Sequence, residues 1–241
     1  MHIQPGPEAP LLAQAVAASM VALHVAVGSA AIGSGAVALA ARKGGRLHRL
    51  AGNAFVGAML LTLLILVQAA PIMRQPINLF GGAFGLYLVI SGWAAARRPD
   101  GKLGRFGVCA MLALATAVPM LLAFGWLAAH APGGKIQGVP YAVAYVLAGV
   151  AAFAGALDVS VFLRGGVSGA QRVARHLWRM GLALYFASAA LFVNQPQVFP
   201  APLRGSPLLA ALAYAPLMVM LFWLLRVQFT DAFRPTATPA E

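Results

Sequence analysis

Long apolar segments, each able to cross a lipid bilayer as a helix, dominate this chain. The hydrocarbon core of a bilayer is about 30 Å thick, so a helix that rises about 1.5 Å per residue needs about 20 apolar residues to cross it. Only 9% of the 241 residues are charged, whereas soluble domains have about 25%. The sequence therefore predicts an all-α, polytopic transmembrane bundle, in which any functional site lies between helices or at the membrane surface.

Glycine, proline and charged residues divide the sequence into seven apolar segments. They predict a single transmembrane domain over residues 1–241. The predicted helices are 12–41, 49–70, 77–97, 104–130, 139–163, 174–195 and 207–228.

Basic residues are concentrated on one side of the predicted bundle, and only Arg74, Lys135 and Arg204 fall on the other. The positive-inside rule then places the N-terminus outside and the C-terminus in the cytoplasm. We expect a multi-pass protein of the bacterial plasma (inner) membrane. Because the net charge of +12 is explained by this orientation, the lipid bilayer is the expected partner and nucleic acid is not.

Small residues recur at helical spacing, as at Gly81, Gly85 and Gly92. Such stripes let membrane helices approach closely. They predict contacts within the bundle, and they also suit contacts with a second copy or with another membrane subunit.

The histidines are the first candidates for a functional site, because ionisable groups are costly at membrane depth. His48 and His176 begin the second and sixth predicted helices on the basic side, whereas His24 and His130 belong to the opposite side. Two histidines on neighbouring helices can ligate both axial positions of a b-type haem iron. We therefore take His24, His48 and His176 as candidate haem ligands and expect His48 and His176 to lie on adjacent helix ends. The alternative is a headgroup-level role, in which the imidazoles bond to lipid phosphate or to backbone carbonyls.

Asp158 is the one acidic residue within a predicted span. Ion pairing would offset its desolvation, and the available partners are Arg164, Arg172, Arg175 and His176. Two roles remain open, a structural salt bridge between the fifth and sixth helices and a proton- or cation-coupled site.

A short pattern of arginine followed by glycine opens each even-numbered helix, at Leu47–Gly52, Leu103–Gly107 and Leu177–Gly181. It places Arg49 and Arg179 at the membrane interface, where arginine anchors a helix and glycine permits close packing. A shared binding role is the alternative. The lone Cys109 cannot build a disulfide or a cysteine-based metal site within one chain. No metalloprotease, Walker or serine-hydrolase motif is present, and the sequence assigns no reaction.

Two patches resemble an uncharacterised family of predicted bacterial and fungal membrane proteins. One runs from Leu23-His24 to Gly28 and continues through Arg42-Lys43-Gly44 to Leu47–Gly52, and the other is Arg175–Gly181. The resemblance implies a polytopic membrane protein and directs attention to His24, His48 and His176. It implies no substrate.

Three function classes follow from these observations. The first is a haem protein that transfers electrons, with histidines as axial ligands. The second is a small permease or membrane sensor that uses Asp158 and His24. The third is a structural subunit of a membrane complex.

Overall fold

The part of the chain that the structure describes forms seven α-helices. The computed structural model describes residues 10–72, 74–98 and 102–230. A short antiparallel hairpin, β1 (Lys135–Ile136) and β2 (Val139–Pro140), connects the fourth and fifth helices. The predicted all-α class and the helix count are confirmed. The helices are α1 (Leu11–Ala40), α2 (Arg46–Ile72), α3 (Pro76–Arg97), α4 (Gly104–His130), α5 (Tyr141–Leu163), α6 (Gly169–Phe192) and α7 (Pro207–Phe229).

Six of these helices, all except α6, are long and apolar enough to cross a membrane. The chain is therefore a multi-pass membrane protein. Helix α6 differs because its first half contains Arg172, Arg175, His176 and Arg179. It also begins at Gly169, five residues before the start predicted from the apolar pattern, because these polar residues continue the helix.

Helices α3 and α6 pack against each other, and each also packs against a further neighbour, α2 and α7 respectively. Helix α1 packs against α2, and α4 packs against α5. The buried core contains Phe55 and Met59 of α2, Leu88 and Val89 of α3, and Leu184 of α6. This arrangement brings the polar half of α6 against the interior of the bundle.

Glycines allow close helix contacts, although not at every position of the small-residue stripe, since a Cβ on Gly81 would meet nothing within 4 Å. A Cβ on Gly35 would lie 2.7 Å from Cδ1 of Leu184 and 2.9 Å from Cδ2 of Phe55. A Cβ on Gly181 would lie 2.6 Å from Cγ and 2.8 Å from Cβ of Met220. Because membrane helices associate by van der Waals contact, these positions determine how closely α1, α6 and α7 pack.

We predict that Gly181→Ala destabilises the bundle by about 1–3 kcal/mol, because the added methyl overpacks the contact between α6 and α7. Gly57→Ala is the matched control, since a Cβ on this glycine of α2 meets nothing within 4 Å. The control should be neutral or slightly stabilising, because alanine favours the helix over glycine. Thermal unfolding in detergent measures both variants, and equal unfolding temperatures would contradict the packing assignment.

Candidate functional site

His48 and His176 lie side by side. The centroids of their rings are 6.4 Å apart and the ring planes make an angle of 80°. His48 belongs to the first turn of α2 and His176 to the polar half of α6. The two rings are adjacent as predicted, but His176 does not lie at a helix end, because α6 already begins at Gly169.

A backbone carbonyl orients each imidazole. Nδ1 of His48 lies 2.9 Å from the carbonyl oxygen of Ala38 on α1, and Nδ1 of His176 lies 2.9 Å from that of Gly92 on α3. A carbonyl oxygen can only accept a hydrogen bond, so Nδ1 is the protonated nitrogen in both rings. In the neutral imidazole, Nε2 of each ring then keeps a lone pair that can bind a metal.

The absence of a side chain at Gly92 makes the hydrogen bond between its carbonyl and His176 possible. A Cβ at this position would lie 3.0 Å from both Cβ of Arg179 and Sδ of Met180. Glycine therefore allows α3 to approach α6 closely enough for its carbonyl to reach His176. The small residue that the sequence identified as a packing contact also positions a candidate ligand.

A cavity of about 510 Å³ contains the histidine pair. Its apolar wall includes Phe55, Val56, Leu184, Trp93 and Trp223. Four cationic side chains also line it. They are Lys43, Arg49, Arg97 and Arg172.

The cations are held by local contacts. Arg49 Nη1 donates to the carbonyl of Gly44 at 2.7 Å, and the Arg97 guanidinium lies 4.5 Å from the ring centroid of Trp93. Lys43, in the loop between α1 and α2, donates to the carbonyl of Leu39. Partial burial lowers the pKa of the Lys43 ammonium. The cavity therefore has cationic side chains held in place beside its apolar wall.

A second polar group lies deeper in the bundle and joins α3, α5 and α6. Asp158 Oδ1 accepts hydrogen bonds from Arg175 Nη2 at 2.8 Å and from Arg179 Nη2 at 2.5 Å. The Tyr87 hydroxyl donates to Asp158 Oδ2 at 2.7 Å and accepts from Arg179 Nη2 at 3.0 Å. Asp158 and Arg179 are both 0% exposed. We call these four residues the ion-pair cluster.

The ion-pair cluster contradicts one prediction made from the sequence and agrees with another. The predicted position of Arg179 as an interfacial anchor is wrong. Arg179 is buried, because the packing of α6 against α3 encloses it. The expected salt bridge between α5 and α6 is present through Arg175. Arg164 is exposed, and Arg172 instead donates to the carbonyl of Arg98 at 3.2 Å. Tyr87 was missed because nothing local marks a tyrosine on α3 as the partner of Asp158.

The other candidate residues lie away from the cavity. His24 of α1 is partly buried, and its Nδ1 has no hydrogen-bond partner among the described residues. His130 is exposed at the end of α4, where Nδ1 lies 2.8 Å from the carbonyl oxygen of Trp126. Neither histidine lines the cavity with His48 and His176, and Asp158 does not line it either.

In residues 10–72, 74–98 and 102–230, no group of three or more histidine, cysteine or acidic side chains is placed to hold a metal ion. The chain matches no protein-family model, no curated protein and no solved structure in the comparisons made.

Proposed function

We propose that the protein binds one b-type haem between His48 and His176 and transfers electrons through it. The observation that carries the proposal is the paired imidazole geometry, in which both rings are held through Nδ1 and both Nε2 atoms are left to act as ligands. A haem iron in a cytochrome takes two axial protein ligands. A bare zinc ion needs three or four, more than this pair of residues supplies.

The separation of the rings fits a shared iron. Two bonds of about 2 Å from one iron place the centres of two axial imidazoles about 6 Å apart once the size of the rings is included. The centroids here are 6.4 Å apart. This agreement in distance supports ligation of one iron by both rings.

The cavity supports the same cofactor. Pockets for organic ligands usually enclose about 300–1,000 Å³, and this one encloses about 510 Å³. Haem has an apolar macrocycle and two anionic propionates, which match the apolar wall and the cations Lys43, Arg49, Arg97 and Arg172. Charge-assisted hydrogen bonds from arginine to the propionates would orient the cofactor.

Orientation in the membrane is part of the proposal. The histidine pair lies toward the helix ends that carry most of the basic residues, and the positive-inside rule assigns this side to the cytoplasm. The haem would then exchange electrons from the cytoplasmic half of a bacterial inner membrane. When bound, haem would supply a one-electron redox centre, and the residues that line the cavity would hold it.

The experiment is a haem measurement on the purified chain, expressed with added haem precursor. We expect a reduced-minus-oxidised absorption spectrum of the b type and one haem per chain. The variants His24→Ala and His130→Ala should keep this stoichiometry, because neither residue lines the cavity. A folded but colourless protein that also fails to take up added haem would overturn the proposal.

A further inference from the structure

We propose that the ion-pair cluster sets the reduction potential of the haem site, an inference that rests on the proposed function. Asp158, Arg175 and Arg179 carry the charges of the cluster, and none of the three lines the cavity that contains His48 and His176. They act on the iron through their electric field and not by contact with the cofactor. The cluster therefore regulates the proposed site from outside it.

The cluster and the candidate ligand His176 share one stretch of α6. Arg175 directly precedes His176 in the sequence, and Arg179 follows it by three residues. Side chains that are three residues apart on a helix have Cβ atoms about 5–6 Å apart. Both arginine side chains therefore leave α6 within about one turn of the proposed iron ligand.

Helix α3 connects the same two groups a second time. The carbonyl oxygen of Gly92 lies 2.9 Å from Nδ1 of His176, and a Cβ on Gly92 would lie 3.0 Å from Cβ of Arg179. On the same helix, the Tyr87 hydroxyl donates to Asp158 Oδ2 at 2.7 Å. The residue that orients His176 thus packs directly on an arginine that pairs with Asp158.

The charges of the cluster are shielded from water. Asp158 and Arg179 are 0% exposed, and Arg175 is 9% exposed. Salt screens buried charges much less than exposed ones. At an effective dielectric constant of about 20, a unit charge about 10 Å from a redox centre shifts a one-electron equilibrium by roughly tenfold. A single charge of the cluster is therefore enough to move the reduction potential measurably.

The sign of each effect follows from the charge balance of the reduction. Ferric iron gains one electron and becomes ferrous, so positive charge nearby favours the reduced haem and negative charge disfavours it. Asp158 therefore lowers the reduction potential, whereas Arg175 and Arg179 raise it. Removing different members of the cluster should then shift the potential in opposite directions.

The test is a redox titration of the haem-loaded full chain, followed by its b-type absorption. Asp158→Asn should raise the ratio of reduced to oxidised haem at a fixed potential by roughly tenfold, which corresponds to about 59 mV for one electron. Arg179→Met should lower this ratio by a similar factor. If Asp158→Asn does not fold, replacing Asp158, Arg175 and Arg179 together by leucine or methionine removes one net positive charge and should also lower the ratio.

The matched control is Tyr87→Phe, which removes hydrogen bonds from the cluster but no charge. Its reduction potential should equal that of the unaltered chain. The inference is wrong if the charge variants bind haem with unchanged potentials, or if they all shift in one direction together with Tyr87→Phe, as loosened packing alone would cause. In either case the proposed function would stand. An unaltered chain that binds no haem would overturn both.

Discussion

His48→Ala and His176→Ala are each expected to lower haem affinity by about 100-fold or more. Loss of a group that only orients a metal ligand costs about 10–100-fold, and each of these variants would remove one of the two proposed ligands. The measurement is a haem titration of each purified variant, followed by absorption at the main haem band. Each variant should leave a single axial histidine and a weakly held, five-coordinate haem.

A rescue experiment separates ligation from folding. Alanine leaves a space the size of an imidazole beside the remaining histidine, so free imidazole should restore part of the six-coordinate spectrum. His130→Ala is the control and should bind haem normally. The ligation assignment would be wrong if His48→Ala and His176→Ala bound haem as tightly as His130→Ala.

Asp158→Asn is expected to destabilise the protein by about 3–5 kcal/mol. The substitution keeps the size of the side chain but leaves Arg175 and Arg179 as uncompensated buried charges, and breaking a buried ion pair from one side has this cost. Chemical unfolding in mixed detergent micelles measures the change. The cavity that contains His48 and His176 is lined by other residues, so under the proposal folded Asp158→Asn should still bind haem.

A second variant tests the cause of that loss. Replacing Asp158, Arg175 and Arg179 together by leucine or methionine removes the charges as a group, and such replacements are often neutral. The triple variant should therefore be more stable than Asp158→Asn. A loss of less than about 1 kcal/mol in Asp158→Asn would contradict the role of the ion-pair cluster as a structural link.

Much of the fold could be predicted because bilayer thickness determines how long an apolar helix must be. Six of the seven described helices follow from apolar segments bounded by glycine, proline and charge, whereas only the second half of α6 does. The approach of His48 to His176 was also predictable, since both stand near the basic ends of predicted even-numbered helices and so at the same membrane level. That pattern does not predict the helix contacts that bring the two ring centroids to within 6.4 Å of each other.

The burial of Arg179 shows where local reasoning fails. Arg49 and Arg179 stand in the same arginine-glycine pattern, yet Arg49 is exposed and Arg179 is fully buried. The difference comes from Tyr87 and Asp158 on other helices, distant in the sequence. One signal for the burial of Arg179 was available in the sequence. Asp158 is the one acidic residue within a predicted span, so it required a cationic partner on a neighbouring helix.

The oxidised protein's electron paramagnetic resonance spectrum tests the central claim most directly, because it reports the axial ligands of a haem iron and the angle between them. Imidazole planes held near 80° would leave two d orbitals of a bound iron nearly equal in energy and would so retain their orbital momentum. We predict a strongly anisotropic low-spin ferric signal that is lost in His48→Ala and in His176→Ala. No haem signal in a folded protein supplied with haem, or the same signal in both variants, would contradict the account.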